Sequence, residues 1–284
     1  MTNQQTIQNS AIIAGIGLHS GKNSTATLKP APENTGIVFR RVDLDPVLEI
    51  PAIVQYADRS DLCTCLLKED IRIATVEHLL SALSGLSIDN VYIDLSSAEL
   101  PMMDGSALPF VVLIQSAGIL QQAAPKKLIR ILKTVEVRDG EKFARLEPFN
   151  GFRLSFQIAF QHPVIASSQQ SLTIDFSSEI YIKQIARART FGFLSDYEKI
   201  HAKNLARGAS LENTIVLNNE RVMNDGGLRD PDEFVKHKML DAIGDLYLLG
   251  HHLIGAFTAY KSSHALTSAL LLELLKDQNA WRWT

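Results

Sequence analysis

The sequence predicts an α+β fold of two similar units, each a sheet layered against a pair of helices. Three observations carry this. Residues 75–118 and 231–276 both run helix, strand, helix; segments such as ATLKP and KTVEVR ahead of them alternate like strands; and a polar stretch, QQAAPKK at residues 121–127, separates the two. Its proline and paired lysines interrupt both periodicities. The units are assigned to residues 1–124 and 125–284, and the sequence echo between them is faint.

Each element has a local reason. In GIGLHSG at residues 15–21 the glycines miss the dinucleotide-binding spacing, and the following NSTATLKP reads as strand rather than helix, so a nucleotide-binding loop is set aside. His19 within it is read as structural or peripheral. Cys63 and Cys65, two apart, fit one face of a strand. In ATVEHLLSALSGL, Leu79, Leu83 and Leu86 recur at helical spacing, with Gly85 as a stop. NVYIDL is then a strand and ALPFVVLIQSAG a helix. In the second unit, Asp230 suits an N-cap, Pro231 the first helical position and Glu233 a capping pattern, so a helix starts there. LIGAFTAY follows as strand and HALTSALLLELL as helix. The tail DQNAWRWT receives no role.

Composition narrows the class. At 284 residues, 46% hydrophobic and net charge −3, the chain can build two ordinary domains and is not a nucleic-acid binder by bulk charge. The start MTNQQTIQNS lacks the basic and apolar regions of a signal peptide, and no apolar run approaches the roughly 18 residues needed to span a bilayer. Two cysteines are too few for a disulfide framework. A reduced, cytoplasmic protein without a transmembrane segment is expected, as a monomer.

The helix of residues 231–250 holds most of the chemistry. At 100° per residue, His237, Asp241 and Asp245 share one arc with Phe234, Lys238 and Leu248, while the other faces are largely apolar. Charges on so buried a helix are costly unless paired, hydrogen-bonded or bound to a metal. A buried ion-pair ladder is one solution. The other is a metal ion gripped by His237 and Asp241, four apart, with His78 as third ligand and Glu77 adjacent, which is how catalytic zinc sites are furnished. The same set would suit ferrous iron in an oxygenase, but such sites commonly sit on jelly-roll strands, whereas these ligands lie on two helices. Hydrolytic zinc is favoured.

Seven strings in order carry a resemblance: GIGLHSG, TVEHLLSAL, IDNVYIDL, PMMDGSA, ARTFGF, GLRDPDEFVKHKMLDAIGDL and KSSHALT. Over nearly its whole length the chain resembles the zinc-dependent UDP-3-O-acyl-N-acetylglucosamine deacetylases of lipid A biosynthesis. The resemblance implies helices packed between the two sheets, a β-α-α-β sandwich with the active site at the domain interface. It implies hydrolysis of the N-acetyl group of a UDP-linked acylated amino sugar. Zinc on His78, His237 and Asp241 activates water, and Glu77 takes its proton. The resemblance assigns the oxyanion to zinc and the Thr190 hydroxyl. His264 is the candidate acid for the leaving amine, with Asp245 holding its imidazole cationic.

Substrate contacts follow from the same likeness. Lys238 would meet the diphosphate, and Phe160, Phe193 and Lys261 match family positions around the nucleotide. Residues 182–217 fit an inserted unit lining a channel for the acyl chain, with Phe191 at its mouth and Cys63 near the sugar. The other readings are a non-haem iron oxygenase using the same triad and a non-catalytic lipid-binding protein with a buried salt network.

Overall fold

The computed structural model describes residues 2–58 and 62–284. Two sheets repeat one strand order. In the first, Ala11–Ile16, Asn23–Pro30, Val91–Leu95, Ile37–Arg41 and Leu48–Pro51 lie side by side in that sequence. In the second, Val135–Asp139, Lys142–Glu147, His252–Tyr260, Phe152–Gln157 and Ser171–Asp175 do the same. In both, the central strand runs antiparallel to the preceding hairpin and parallel to its other neighbour. A parallel pair requires a crossover, and each crossover contains a helix, Glu77–Gly85 in the first unit and Glu233–Leu246 in the second. The tail strand Trp281–Trp283 joins the second sheet through Leu128–Ile131.

The longer helices are α1 (Glu77–Gly85), α2 (Leu108–Ala117), α3 (Leu194–Ala202), α4 (Glu233–Leu246) and α5 (His264–Lys276). Alternation along the central strand His252–Tyr260 buries every second residue, and α4 and α5 cover the second sheet while α2 lies on the first. Between them α1 meets α4, completing a sheet-helix-helix-sheet stack. All nine residues of α1 are buried, the polar Glu77, His78, Ser81 and Ser84 among them. The α+β class and its two similar units are as expected.

The first part of QQAAPKK continues the strand Ile119–Pro125, which pairs antiparallel with Asn3–Ile7 of the first unit. Two local expectations are corrected. The helix of the second unit begins at Glu233, without a side-chain cap. Glu233 is instead fully buried and accepts from Arg189 Nε at 2.9 Å, Arg189 Nη2 at 3.1 Å and the Arg229 N–H at 2.6 Å. An ion pair with a buried arginine outweighs local capping there. Cys63 precedes the strand Cys65–Lys68 rather than sharing its face, yet the two sulfurs lie 3.4 Å apart.

The approach of α1 to α4 depends on one missing side chain. A Cβ on Gly244 would lie 2.1 Å from the Glu77 carbonyl oxygen. Gly244→Ala must therefore part the helices, and a loss of about 1–3 kcal/mol is expected from overpacking. Gly226→Ala, where a Cβ meets nothing within 4 Å, is expected to stay within about 0.5 kcal/mol. Denaturant midpoints of the two variants check this.

Candidate metal centre

His78 stands in the first turn of α1, and His237 and Asp241 one turn apart on α4. The contact of these helices brings the imidazoles edge to face, with centroids 5.1 Å apart. Donor atoms from the three residues lie within 4.8 Å of one another. Asp241 Oδ1 is 3.4 Å from His78 Nε2 and 3.3 Å from His237 Nε2, yet it is buried without a hydrogen-bond partner among the described residues. An unpartnered carboxylate oxygen facing two imidazole nitrogens is the arrangement a cation would complete. His237 Nδ1 donates to the Ala188 carbonyl at 3.0 Å, which leaves the Nε2 lone pair for an ion. Burial, only partly offset by Asp241, pushes this imidazole down to about 3, so it is neutral, as a ligand must be. Burial would raise the Asp241 carboxyl, but His237 and then Lys238 outweigh it and hold the group well below its usual range.

The centre forms the floor of a cavity of about 530 Å³. Every site residue expected from sequence lines it except Asp245, which lies one layer behind. Glu77 is buried beside His78, and burial pushes its carboxyl up to about 8 against the opposing pull of His264. Its Oε2 accepts from the Thr64 N–H at 3.0 Å. His264 opens α5, whose Ser263 N-cap accepts from the Leu266 N–H. Its Nδ1 donates to Asp245 Oδ2 at 2.8 Å. Burial alone would lower this imidazole, but the Asp245 charge and hydrogen bond prevail and raise it to about 10.

Other expected residues sit as follows. Lys238 Nζ donates to Asp241 Oδ2 at 2.5 Å, so its charge is shared with the metal centre while the side chain borders the cavity. Thr190 is fixed through its backbone, its N–H donating to Gly105 O and its carbonyl accepting from Ile215, both at 2.8 Å. That fit needs glycine at 105, where φ is +83° and a Cβ would strike the Asn213 carbonyl at 2.0 Å. Phe191 and Phe193 form a short strand parallel to Ile215–Leu217 and cluster with Phe160, at 5.5 and 5.8 Å between centroids. Phe191 also leans on Phe234 and toward His237. Lys261 reaches Glu141 Oε1 at 2.5 Å on the far rim. Buried Cys63 lines the wall.

Two features escape sequence reasoning. Thr64 touches Glu77, Asp245 and His264 together, but its partners on the second unit are 181 and 200 residues away and no spacing links them. The GIGLHSG loop holds an anion of its own chain, since the N–H groups of His19 and Ser20 donate to Glu99 at 2.7 and 2.8 Å. His19 thereby borders the cavity, its Nε2 without a hydrogen-bond partner among the described residues. Only the glycines hinted at a backbone nest.

Comparison with known proteins gives a consistent result. The family model for UDP-3-O-acyl N-acetylglycosamine deacetylase matches residues 4–276. The UDP-3-O-acyl-N-acetylglucosamine deacetylase of Coxiella burnetii (strain RSA 493 / Nine Mile phase I) is 57% identical over 281 residues, covering 99% of this chain and 93% of the relative. Proteins of the same name from Xanthomonas axonopodis pv. citri (strain 306) and Stenotrophomonas maltophilia (strain K279a) are each 54% identical over 283 residues, covering all of this chain and 93% of theirs.

The geometry separates ligands from supports. His78→Ala and Asp241→Ala are expected to lose bound divalent metal on desalting, whereas Asp245→Ala keeps it, as elemental analysis of the purified variants would record. Metal loss from the Asp245 variant would make that residue a ligand.

Proposed function

The chain belongs to the UDP-3-O-acyl N-acetylglycosamine deacetylase family, and from that premise we propose that it hydrolyses the N-acetyl group of UDP-3-O-acyl-N-acetylglucosamine in lipid A biosynthesis, with zinc as the working ion. The observation that carries this reading is the buried pair of histidines and one aspartate with an unpartnered oxygen between them, and a second carboxylate, Glu77, alongside. A nucleotide-linked substrate, and two cysteines too few for a disulfide framework, favour a cytoplasmic enzyme. Among the described residues no helix is long and apolar enough to cross a membrane.

His78, His237 and Asp241 would hold the zinc, which when bound supplies Lewis acidity that makes water nucleophilic near neutral pH and draws charge from an amide carbonyl. Glu77 takes the proton of the attacking water, since one of its oxygens is tied to the Thr64 N–H and the other is left for the cavity. The Thr190 hydroxyl, on a backbone anchored at both ends, offers a donor to the developing oxyanion. His264 gives a proton to the sugar nitrogen as its bond to the acetyl carbon breaks, yielding the free amine and acetate. Asp245 keeps that imidazole cationic until then. Lys238 balances charge at the floor. Phe160, Phe193 and Lys261 border the nucleotide, and Cys63 the sugar. Phe191 stands at the mouth of the inserted unit at 182–217 that would take the acyl chain. Burying ten methylenes there is worth about 8 kcal/mol before ordering costs.

Acetate release from UDP-3-O-acyl-N-acetylglucosamine by the purified protein is expected to vanish on chelation and return with stoichiometric zinc. A folded, metal-loaded protein that releases none would overturn the reading. Glu77→Ala is expected to keep fold and metal and to lose about 10²- to 10⁴-fold in turnover. The pH profile of kcat/KM should be bell-shaped. The base works deprotonated, so activity is lost below its pKa, which is about 8 without metal and is drawn lower by the cation. The acid works protonated, so activity is lost toward its pKa of about 10. A profile with no descending limb would remove His264 as the acid.

A further inference from the structure

Thr64 lies in the loop before the strand Cys65–Lys68, with a relative exposure of 2%. Nearly everything it can bond is spent on the reaction centre. Its N–H donates to Glu77 Oε2 at 3.0 Å. Its carbonyl accepts at 3.2 Å from the N–H of Val76, which precedes α1 and has no side-chain cap to offer. Its hydroxyl donates to Asp245 Oδ1, and its Oγ1 lies 3.0 Å from His264 Nδ1. One residue thus joins the carboxylate on α1 to the aspartate on α4 and the histidine on α5.

The hydroxyl also settles where protons reside. Asp245 Oδ2 already accepts from His264 Nδ1 at 2.8 Å. A hydroxyl has one hydrogen. Spent on Oδ1, it leaves the Thr64 oxygen as a lone-pair neighbour of the same Nδ1–H. Both carboxylate oxygens are then satisfied as acceptors, the imidazole is fixed with Nδ1 protonated, and its Nε2 edge is turned away from Asp245. Without the hydroxyl, Asp245 keeps a buried oxygen unpaired and the ring loses one of two groups that set its angle.

We propose that Thr64 is a positioning residue for the deacetylation. It holds the base Glu77 and the acid pair Asp245–His264 in register through two different groups, its backbone amide and its hydroxyl. This rests on the deacetylase reading above. The substitution Thr64→Val removes only the hydroxyl and keeps branching and volume, while Thr64→Ser restores the hydroxyl without the methyl.

The test measures acetate release from UDP-3-O-acyl-N-acetylglucosamine by zinc-loaded wild type, Thr64→Val and Thr64→Ser, with metal content and melting temperature recorded for each. Thr64→Val is expected to lower kcat by about 10- to 100-fold, with KM within about twofold and metal retained. Thr64→Ser is expected to recover kcat to within about threefold of wild type. If Thr64→Val does not fold, Thr64→Ala is compared with Thr64→Ser in the same way. A hydroxyl-free variant that turns over like wild type overturns the inference. So does a serine variant as slow as the valine one, because the methyl would then be the essential part. A wild-type protein that releases no acetate overturns the deacetylase reading instead, and the two failures are told apart by that control.

Discussion

The structure turns on the contact between α1 and α4 at Gly244. His237, Asp241 and Gly244 follow one another at spacings of four and three, so the glycine lies on the same helical face as the other two. Where the Gly244 face touches the Glu77 backbone, no side chain intervenes. The first turn of α1, with Glu77 and His78, is thereby pressed against the polar arc of α4. Local propensity argues against a glycine in mid-helix by about 1 kcal/mol relative to alanine. Close approach of two functional faces is what that cost secures.

Such closeness puts several ionisable groups into one dry layer, and each needs a partner. Asp241 has Lys238 and two imidazoles; Asp245 has His264 and Thr64; Glu233 has Arg189. Among the described residues the Glu77 carboxylate has one direct hydrogen-bond partner, the Thr64 N–H. The two carboxylates nearest the centre are consequently pushed in opposite directions. With Lys238 and two imidazoles facing it, Asp241 stays ionised, whereas burial makes Glu77 cling to a proton. That divergence separates a ligand from a group able to exchange a proton.

Much of this was legible in the chain. Periodicity marked the helices, strands and their repetition, because one-sided burial leaves a pattern in 3.6 or 2 residues. Four-residue spacing on α4 and the Glu77–His78 pair marked the centre, because one helix face is a local property. What sequence could not convey is contact across the units. Thr64 acts through an amide and a hydroxyl on partners from other helices, and Glu233 reads as a cap until Arg189 is seen beside it. That QQAAPKK begins inside a strand was equally hidden, because its partner, Asn3–Ile7, lies at the far end of the first unit. Resemblance to a family supplied the sandwich, which periodicity alone would not have ordered.

The division of the centre between α1 and α4 also orders events in time. Protein synthesis delivers the first sheet and α1 long before α4. Until then Leu79, Leu80 and Leu83, all without exposure in the finished fold, have α2 beside their helix but lack the cover of α4. A nascent chain halted between the units would carry His78 but neither of its companions. A cation that needs all three side chains could therefore be held only by a chain translated past Asp241, and the half-made protein would leave the face of α1 that carries His78 without its α4 cover.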